Sequence, residues 1–252
     1  MIRFLRSVPR LDEGCSYSFP PIEGASPEGI VCVGGNLSPG ILLSAYRQGI
    51  FPWYGEREPL LWWSPDPRFA VLPETFHVSA TSRKLLRRRE FRLTLDGAFD
   101  RVIESCARIE RPGQGGTWIV DDMIDAYKEL HRLGYAHSAE AWSGGDLAGG
   151  LYGVSIGDAF FGESMFSAAS GASRSAFLCL AMKLFENGFS LIDSQVYTDY
   201  VAGMGGVDLP RKAYLERLSA AAAGSDKRGP WHERFPDFPA SAGLADILGA
   251  QG

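Results

Sequence analysis

Cysteine is scarce in this chain: four occur in 252 residues, at Cys15, Cys32, Cys106 and Cys179. None forms a C-x-x-C pair and their spacing is irregular, which excludes a disulfide framework and the usual paired-cysteine metal and redox patterns. They read as reduced, mostly buried thiols, with Cys179 inside a helical pattern. Histidine is as sparse. His131 and His137 fall on a helix end and a strand with no ligand pattern around them, so no metal is expected. No run is apolar and long enough to span a bilayer. The first residues hold no sustained apolar stretch before a small-residue cleavage site. The expectation is a cytoplasmic protein without membrane contact. Positive charge is in deficit, 25 Lys and Arg against 30 Asp and Glu, for a net charge of −5. That excludes general, charge-driven nucleic-acid binding by the whole surface. A G-x-S-x-G elbow and a P-loop are also absent. The glycine-rich "GGLYGVSIG" sits in a hairpin, not between a strand and a helix, and so fails as a dinucleotide loop.

What is present begins with "FPWYGEREPLLWWSPDPR", from Phe51 to Arg68. It carries Trp53, Trp62 and Trp63 among four prolines, at 52, 59, 65 and 67. Proline removes backbone donors and turns its neighbour away from helix, so the stretch reads as a loop or edge over a surface. Each tryptophan taken singly is ordinary core. Together on a rigid loop they suit a flat ligand such as a nucleobase, whose face stacks on an aromatic ring. A local basic cluster answers to the same theme. "SRKLLRRREFR" places Arg83, Lys84, Arg87 and Arg88 at i, i+4 spacing on adjoining parts of one helix face. A solvated charged face and a phosphate-contacting face both fit it.

Along the chain, "VGGNLSPGILLSAYRQGIF" reads as a turn and a short helix capped by Asn36 or Ser38, with Leu42, Leu43 and Tyr46 buried. "RFAVLP" and "FRLTL" read as strands with the basic helix between them. "DGAFDRVIESCAR" and "VDDMIDAYKELHRLG" are amphipathic helices, and "RPGQGG" between them is a loop. "AHSAEAW", "LAGGLYGVSI" and "AFFGESMF" form an antiparallel meander joined by "SGGD" and "GD". A helix over "GASRSAFLCLAMKLFENG" and a short strand, "FSLIDSQ", follow. That order is the order of an acetyltransferase-type acyltransferase core. The fold expected is α+β: a small N-terminal domain over 1–67, then a GNAT-like catalytic domain over 68–252 with a mixed sheet and helices. Periodicity is weak after Leu218, and that tail reads as loosely ordered.

Two acidic positions stand out. Glu163 in "FFGESMF" and Asp193 in "LIDSQ" both lie among apolar strand residues. A carboxylate there is costly unless it is paired or faces a cleft, so each is either a structural ion pair or part of a site. Asp193 and Gln195, two apart on a strand, share a face suited to holding an amine or guanidinium.

Taken together, "GIFPWYGEREPLLWWSPDPR", "GGTWI", "GGLYGVSIGDAFFGESMFS", "ASRSAF" and "LIDSQ" resemble the leucyl/phenylalanyl-tRNA–protein transferases, in family order from roughly Ser18 to Leu218. The resemblance implies transfer of Leu or Phe, with Met as a further candidate, from aminoacyl-tRNA to proteins that begin with Arg or Lys, in the N-degron pathway. It implies that Trp53 and Trp118 lie by the 3′ adenosine and aminoacyl end. Phe160, with Leu151, Phe177, Leu180 and Ile192, would line the pocket for the leucyl or phenylalanyl side chain. Asp193 and Gln195 would be catalytic, and Glu163 would hold the acceptor's N-terminus. Arg83, Lys84, Arg87 and Arg88 would bind tRNA. No cofactor, metal or covalent intermediate is implied. Trp62 and Trp63 are expected to pack the loop onto the second domain. The chain departs from the family at Ser194 and Tyr200, where a cysteine and a histidine are frequent, and at Leu180, where relatives can have phenylalanine. Two other functions stay open. One is an acyl-CoA-dependent acetyltransferase, although "SAASGASR" lacks the pyrophosphate-loop form. The other is a non-catalytic binder of tRNA acceptor ends.

Overall fold

The computed structural model describes residues 3–5, 7–109 and 119–249. Two sheets organise them. The first joins β1 (Arg3–Leu5), β2 (Ile30–Gly34), β3 (Phe51–Pro52) and β4 (Leu61–Trp63) in the order β1-β2-β4-β3. Between β2 and β3 lies α1 (Pro39–Arg47), with Pro39 in its first turn, where a missing N–H costs nothing. Ser38 is the residue before the helix, but its hydroxyl accepts from the Leu11 N–H rather than capping the helix. The proline-punctuated stretch is more regular than its composition predicts. Its two ends pair as β3 and β4, Phe51 with Trp63 and Pro52 with Trp62. Trp62 is wholly buried and its indole donates to the Gly34 carbonyl. It belongs to the core cluster that also holds Tyr152, Val154 and Phe161 of the second sheet, and its ring meets Phe19 edge-on.

The second sheet holds β5 (Arg68–Val71), β6 (Arg92–Leu95), β7 (Ala136–Ser143), β8 (Asp146–Ile156), β9 (Ala159–Ser167), β10 (Leu191–Gln195) and β11 (Gly206–Leu209). Their order is β11-β5-β10-β9-β8-β7-β6. β7, β8 and β9 form the expected antiparallel meander. Then α5 (Ala172–Glu186) carries the chain to β10, which pairs parallel to β9. Parallel neighbours need such a crossover. The sheet is therefore mixed, and the α+β reading holds.

Strand alternation divides the core in two. Tyr152, Val154, Ile156 and Phe161 pack with α1, α3 (Phe99–Arg108), α4 (Asp121–Arg132) and α7 (Arg211–Ala222). Leu151 and Phe160 pack with α5, α2 (Ala80–Arg88), α6 (Asp199–Ala202), α8 (Trp231–Arg234) and α9 (Ala242–Gly249). One glycine is required by this packing. A Cβ on Gly153 would lie 2.2 Å from the Phe161 carbonyl oxygen and 2.5 Å from Cζ of Phe160. The Phe160 ring lies directly on that strand backbone.

The tail corrects the sequence reading. Beyond α7 it is packed, not loose: Trp231 is fully buried, and Leu244 and Ile247 join the α5-side cluster. Lys183 of α5 holds Asp237 at 2.8 Å. Helical periodicity is silent here because α8 is a single turn and its anchors are scattered through loops. Of the cysteines, Cys32, Cys106 and Cys179 are buried and Cys15 is exposed, all unbridged. Burial pushes the Cys32 and Cys179 thiols up to about 12. Among the described residues no helix is long and apolar enough to cross a membrane.

Candidate active site

The pairing of β9 with β10 runs only from Leu191 and Ala159 to Asp193 and Phe161. Beyond that point Glu163 and Gln195 meet through side chains: Gln195 Nε2 donates to Glu163 Oε1 at 2.7 Å. β10 bulges between Asp193 and Gln195 where it pairs with β5. Gln195 has φ +65°, a left-handed conformation that a non-glycine residue adopts only when its surroundings hold it there. Asp193 supplies that hold: the Gln195 backbone N–H turns back onto Oδ1 at 2.8 Å. The even spacing of 193 and 195 therefore does not set their arrangement; the bulge does, and each side chain has its own partners.

Asp193 is completely buried and its carboxylate is filled. Arg68, 1 % exposed, donates Nε to Oδ1 at 2.9 Å and Nη2 to Oδ2 at 2.7 Å. Tyr214 of α7 adds its hydroxyl to Oδ2 at 2.7 Å. The guanidinium also lies over the Phe51 and Tyr214 rings, 4.6 and 4.7 Å from their centroids. Such planar two-point pairing is what arginine supplies and lysine cannot. The guanidinium that the sequence suggested Asp193 would hold thus comes from the chain itself. The prolines before it have a visible use. The loop they shape is pinned to α7, with the Arg211 N–H on Asp66 Oδ1 at 2.9 Å and Arg211 Nη1 on the Ser64 carbonyl at 2.8 Å.

Glu163 is held from the opposite side. The Tyr46 hydroxyl of α1 lies 2.8 Å from Oε1, the Tyr127 hydroxyl of α4 lies 3.0 Å from Oε2, and the two hydroxyls also meet each other; with one proton apiece they donate in two of these three contacts at a time. Burial raises the Glu163 carboxyl to about 7; the tyrosine and Gln195 hydrogen bonds pull the other way, and the Asp193 charge adds to the rise. Burial likewise raises the Tyr46, Tyr127 and Tyr214 hydroxyls, which stay protonated donors. A carboxyl that titrates near neutral pH beside a strained glutamine can change charge during a reaction.

The other sequence candidates separate into three places. Leu151, Phe160, Phe177, Leu180 and Ile192 come together in the α5-side cluster, each 4 % exposed or less. Trp53 is half-buried on the far side. Its ring lies 5.5 Å from that of Trp63, whose indole donates to the Trp53 carbonyl at 2.7 Å. The pair walls an open cleft of about 1770 Å³ together with Ile119, Asp121 and Asp125 at the start of α4. Trp63 is thus a cleft wall that also packs against the cluster holding Ile119 and Tyr127. α4 stands between cleft and carboxylates, with Asp125 on one side and Tyr127 on the other. Trp118 and the "RPGQGG" loop lie outside the described residues. Arg83, Lys84, Arg87 and Arg88 are all exposed on α2. Arg87 Nε donates to the Ile247 carbonyl of α9 at 2.9 Å, and Arg88 meets Glu90 at 3.5 Å.

Sequence reading missed Arg68, Tyr46, Tyr127 and Tyr214. Arg68 carried a signal, an arginine opening an otherwise apolar strand. The tyrosines carried none, because a buried tyrosine at a helical position is indistinguishable from core.

Two family models match this chain: leucyl/phenylalanyl-tRNA protein transferase over residues 70–219, and the N-terminal domain of the same transferase over residues 35–66. Curated relatives agree. The leucyl/phenylalanyl-tRNA–protein transferase of Anaeromyxobacter sp. (strain Fw109-5) is 53 % identical over 89 % of this chain and 96 % of its own length. That of Myxococcus xanthus is 50 % identical over 85 % of this chain and 92 % of its own. Among solved structures, a GCN5-related N-acetyltransferase-like protein from Streptococcus suis overlaps 71 % of this chain and 67 % of its own, at 12 % identity and a TM-score of 0.33, too loosely to argue from. With over half the chain inside the family model and half its residues shared with full-length relatives, this protein belongs to the leucyl/phenylalanyl-tRNA protein transferase family and is an aminoacyltransferase.

Proposed function

We propose that the enzyme moves Leu or Phe from its tRNA to the α-amino group of proteins that begin with Arg or Lys, in the cytoplasm, and so marks them for degradation. The observation that carries this reading is the Gln195 amide suspended between two buried carboxylates, its side chain on Glu163 and its backbone on Asp193. An aminoacyl ester is already activated, so the protein has modest chemistry to supply. An α-amino group has a pKa of roughly 7.7–8.0, and a useful fraction is neutral near pH 7. Most of the rate comes from holding amine and ester in the right geometry.

With Nε2 committed to Glu163, the Gln195 carbonyl oxygen is left to accept an N–H of the attacking amine. The amine lone pair bonds to the ester carbon, the bond from that carbon to the ribose oxygen breaks, and the amine proton ends on the ribose hydroxyl. Asp193 touches no substrate in this reading. It positions Gln195, and its own charge is matched by Arg68. Glu163 has roughly four acceptor sites and at most three internal donors. The remaining one takes the cationic side chain of the acceptor's first residue. Leu151, Phe160, Phe177, Leu180 and Ile192 receive the transferred side chain. Trp53, and Trp118 by resemblance, attend the terminal adenosine. The boundary between the small N-terminal domain and the GNAT-like catalytic domain falls near residue 67.

Steady-state transfer from Leu-tRNA and Phe-tRNA to peptides beginning Arg, Lys, Asp and Ala tests this. Arg and Lys should lead by a wide margin. A preference for Asp would sink the acceptor half of the reading.

The α2 cluster gives a second expectation. Changing Arg83, Lys84 and Arg88 to alanine should raise KM for charged tRNA, leave KM for the peptide alone, and flatten the salt dependence. Each phosphate that is no longer neutralised reduces the log–log slope by about 0.7–0.9. Arg87 is left in place because it also secures α9. An unchanged slope would put the tRNA on another face.

A further inference from the structure

Trp231 lies beyond residue 219, where the family model ends, yet its side chain is fully buried in the cluster that contains the five aminoacyl-pocket candidates. Its backbone is fixed first. The Trp231 N–H donates to Asp96 Oδ2 at 2.7 Å, and the same carboxylate holds the Ser138 N–H at 2.9 Å and His137 Nδ1 at 2.9 Å. Its ring is fixed next. The His137 imidazole stacks on the indole at 3.9 Å and 7°, and the indole N–H donates to the Lys227 carbonyl at 3.1 Å. Phe189 and Phe235 meet it edge-on at 6.0 and 5.6 Å. A tryptophan held by hydrogen bonds at its backbone N–H and its indole N–H, with rings around it, has one position.

Phe160 is what that position controls. The two rings lie 5.7 Å apart. On another side Phe160 rests on the bare backbone of Gly153, where even a methyl group has no room. It is confined between a strand backbone and a fixed indole, so its ring cannot retreat when a substrate side chain arrives. We propose that Trp231 is a specificity-determining residue that acts through Phe160: it is the back wall that sets the depth of the aminoacyl pocket and thereby excludes side chains larger than phenylalanine. This rests on the proposed role of Phe160 in holding the transferred side chain.

The test compares kcat/KM for tRNA charged with Leu, Phe and Trp, using one peptide that begins with Arg, in wild type and Trp231→Phe. Removing one ring of the indole lets Phe160 move back. Use of Trp-tRNA relative to Leu-tRNA should rise about 10-fold or more, the scale of one or two methylenes of fit in a hydrophobic pocket. KM for the peptide should stay put. If Trp231→Phe does not fold, Trp231→Met, which fills the space with a pliant side chain, carries the same comparison. An equal fall for all three tRNAs, with the ratios of wild type, would make Trp231 a structural anchor and overturn the inference. A wild type inert with both Leu- and Phe-tRNA would overturn the underlying reading of the pocket and this inference with it.

Discussion

Arg68→Ala should unfold the protein at a much lower urea concentration than wild type. The change leaves the Asp193 carboxylate, fully buried, without its cation. Losing one partner of a buried pair costs about 3–5 kcal/mol, against a total stability of roughly 5–15 kcal/mol for an ordinary domain. Asp193→Ala should do similar damage by stranding the guanidinium. The combination Arg68→Ala with Asp193→Ala should be far milder than the two single losses added, because it leaves no charge uncompensated. That double variant should nevertheless be almost inactive. The Gln195 N–H loses the acceptor that holds its left-handed turn. Stability from urea titration and transfer rates on the same four proteins separate the two effects. Stabilities that simply add would mean the pair is not coupled. A folded, fully active double variant would remove Asp193 from the mechanism.

Glu163→Gln should abolish most transfer to Arg- and Lys-started peptides and reshape the pH profile. In wild type two groups lose protons on the way to the reactive state: the acceptor amine, at roughly 7.7–8.0, and Glu163, at about 7. The logarithm of kcat/KM for the peptide should therefore climb with a slope near two below pH 7 and near one just above. Glu163→Gln leaves the amine alone, so its residual activity should climb with a slope of one throughout. Stability moves the other way. The folded-state value lies above the ordinary 4.5, so the protonated form favours folding. That contribution is complete below about 4.5 and is lost as pH rises through about 7; a shift of this size is worth on the order of 3 kcal/mol. The glutamine variant should lack this decline. Equal slopes for the two proteins would leave Glu163 as a structural group.

How much of this is legible in the sequence depends on the kind of signal. The meander, α5 and β10 follow from strand alternation, tight turns and a helical apolar pattern, which are local and survive in a single sequence. Glu163 and Asp193 are visible because charge among apolar strand residues demands an explanation. Their partners are not. Tyr46 stands 117 residues from Glu163, and Arg68 stands 125 from Asp193. Neither pairing leaves a trace in spacing. The bulge at Gln195 is a break in the register with β5, a strand far away in the chain, so local reading makes 193 and 195 regular neighbours on one face. Trp231 escapes notice for a related reason: an anchor inside a single-turn helix has no period to betray it.

The distance along the chain between these partners also bears on how the enzyme is made. The buried network takes in Tyr46, Arg68, Tyr127, Glu163, Asp193 and Gln195, and it closes on Tyr214. Synthesis runs from the N-terminus, and contacts across long separations form after local ones. A nascent chain that has not yet released α7 holds Asp193 without the Tyr214 hydroxyl, and its proline loop without the Arg211 clasp. The network around the two carboxylates is therefore complete only once α7 has left the ribosome.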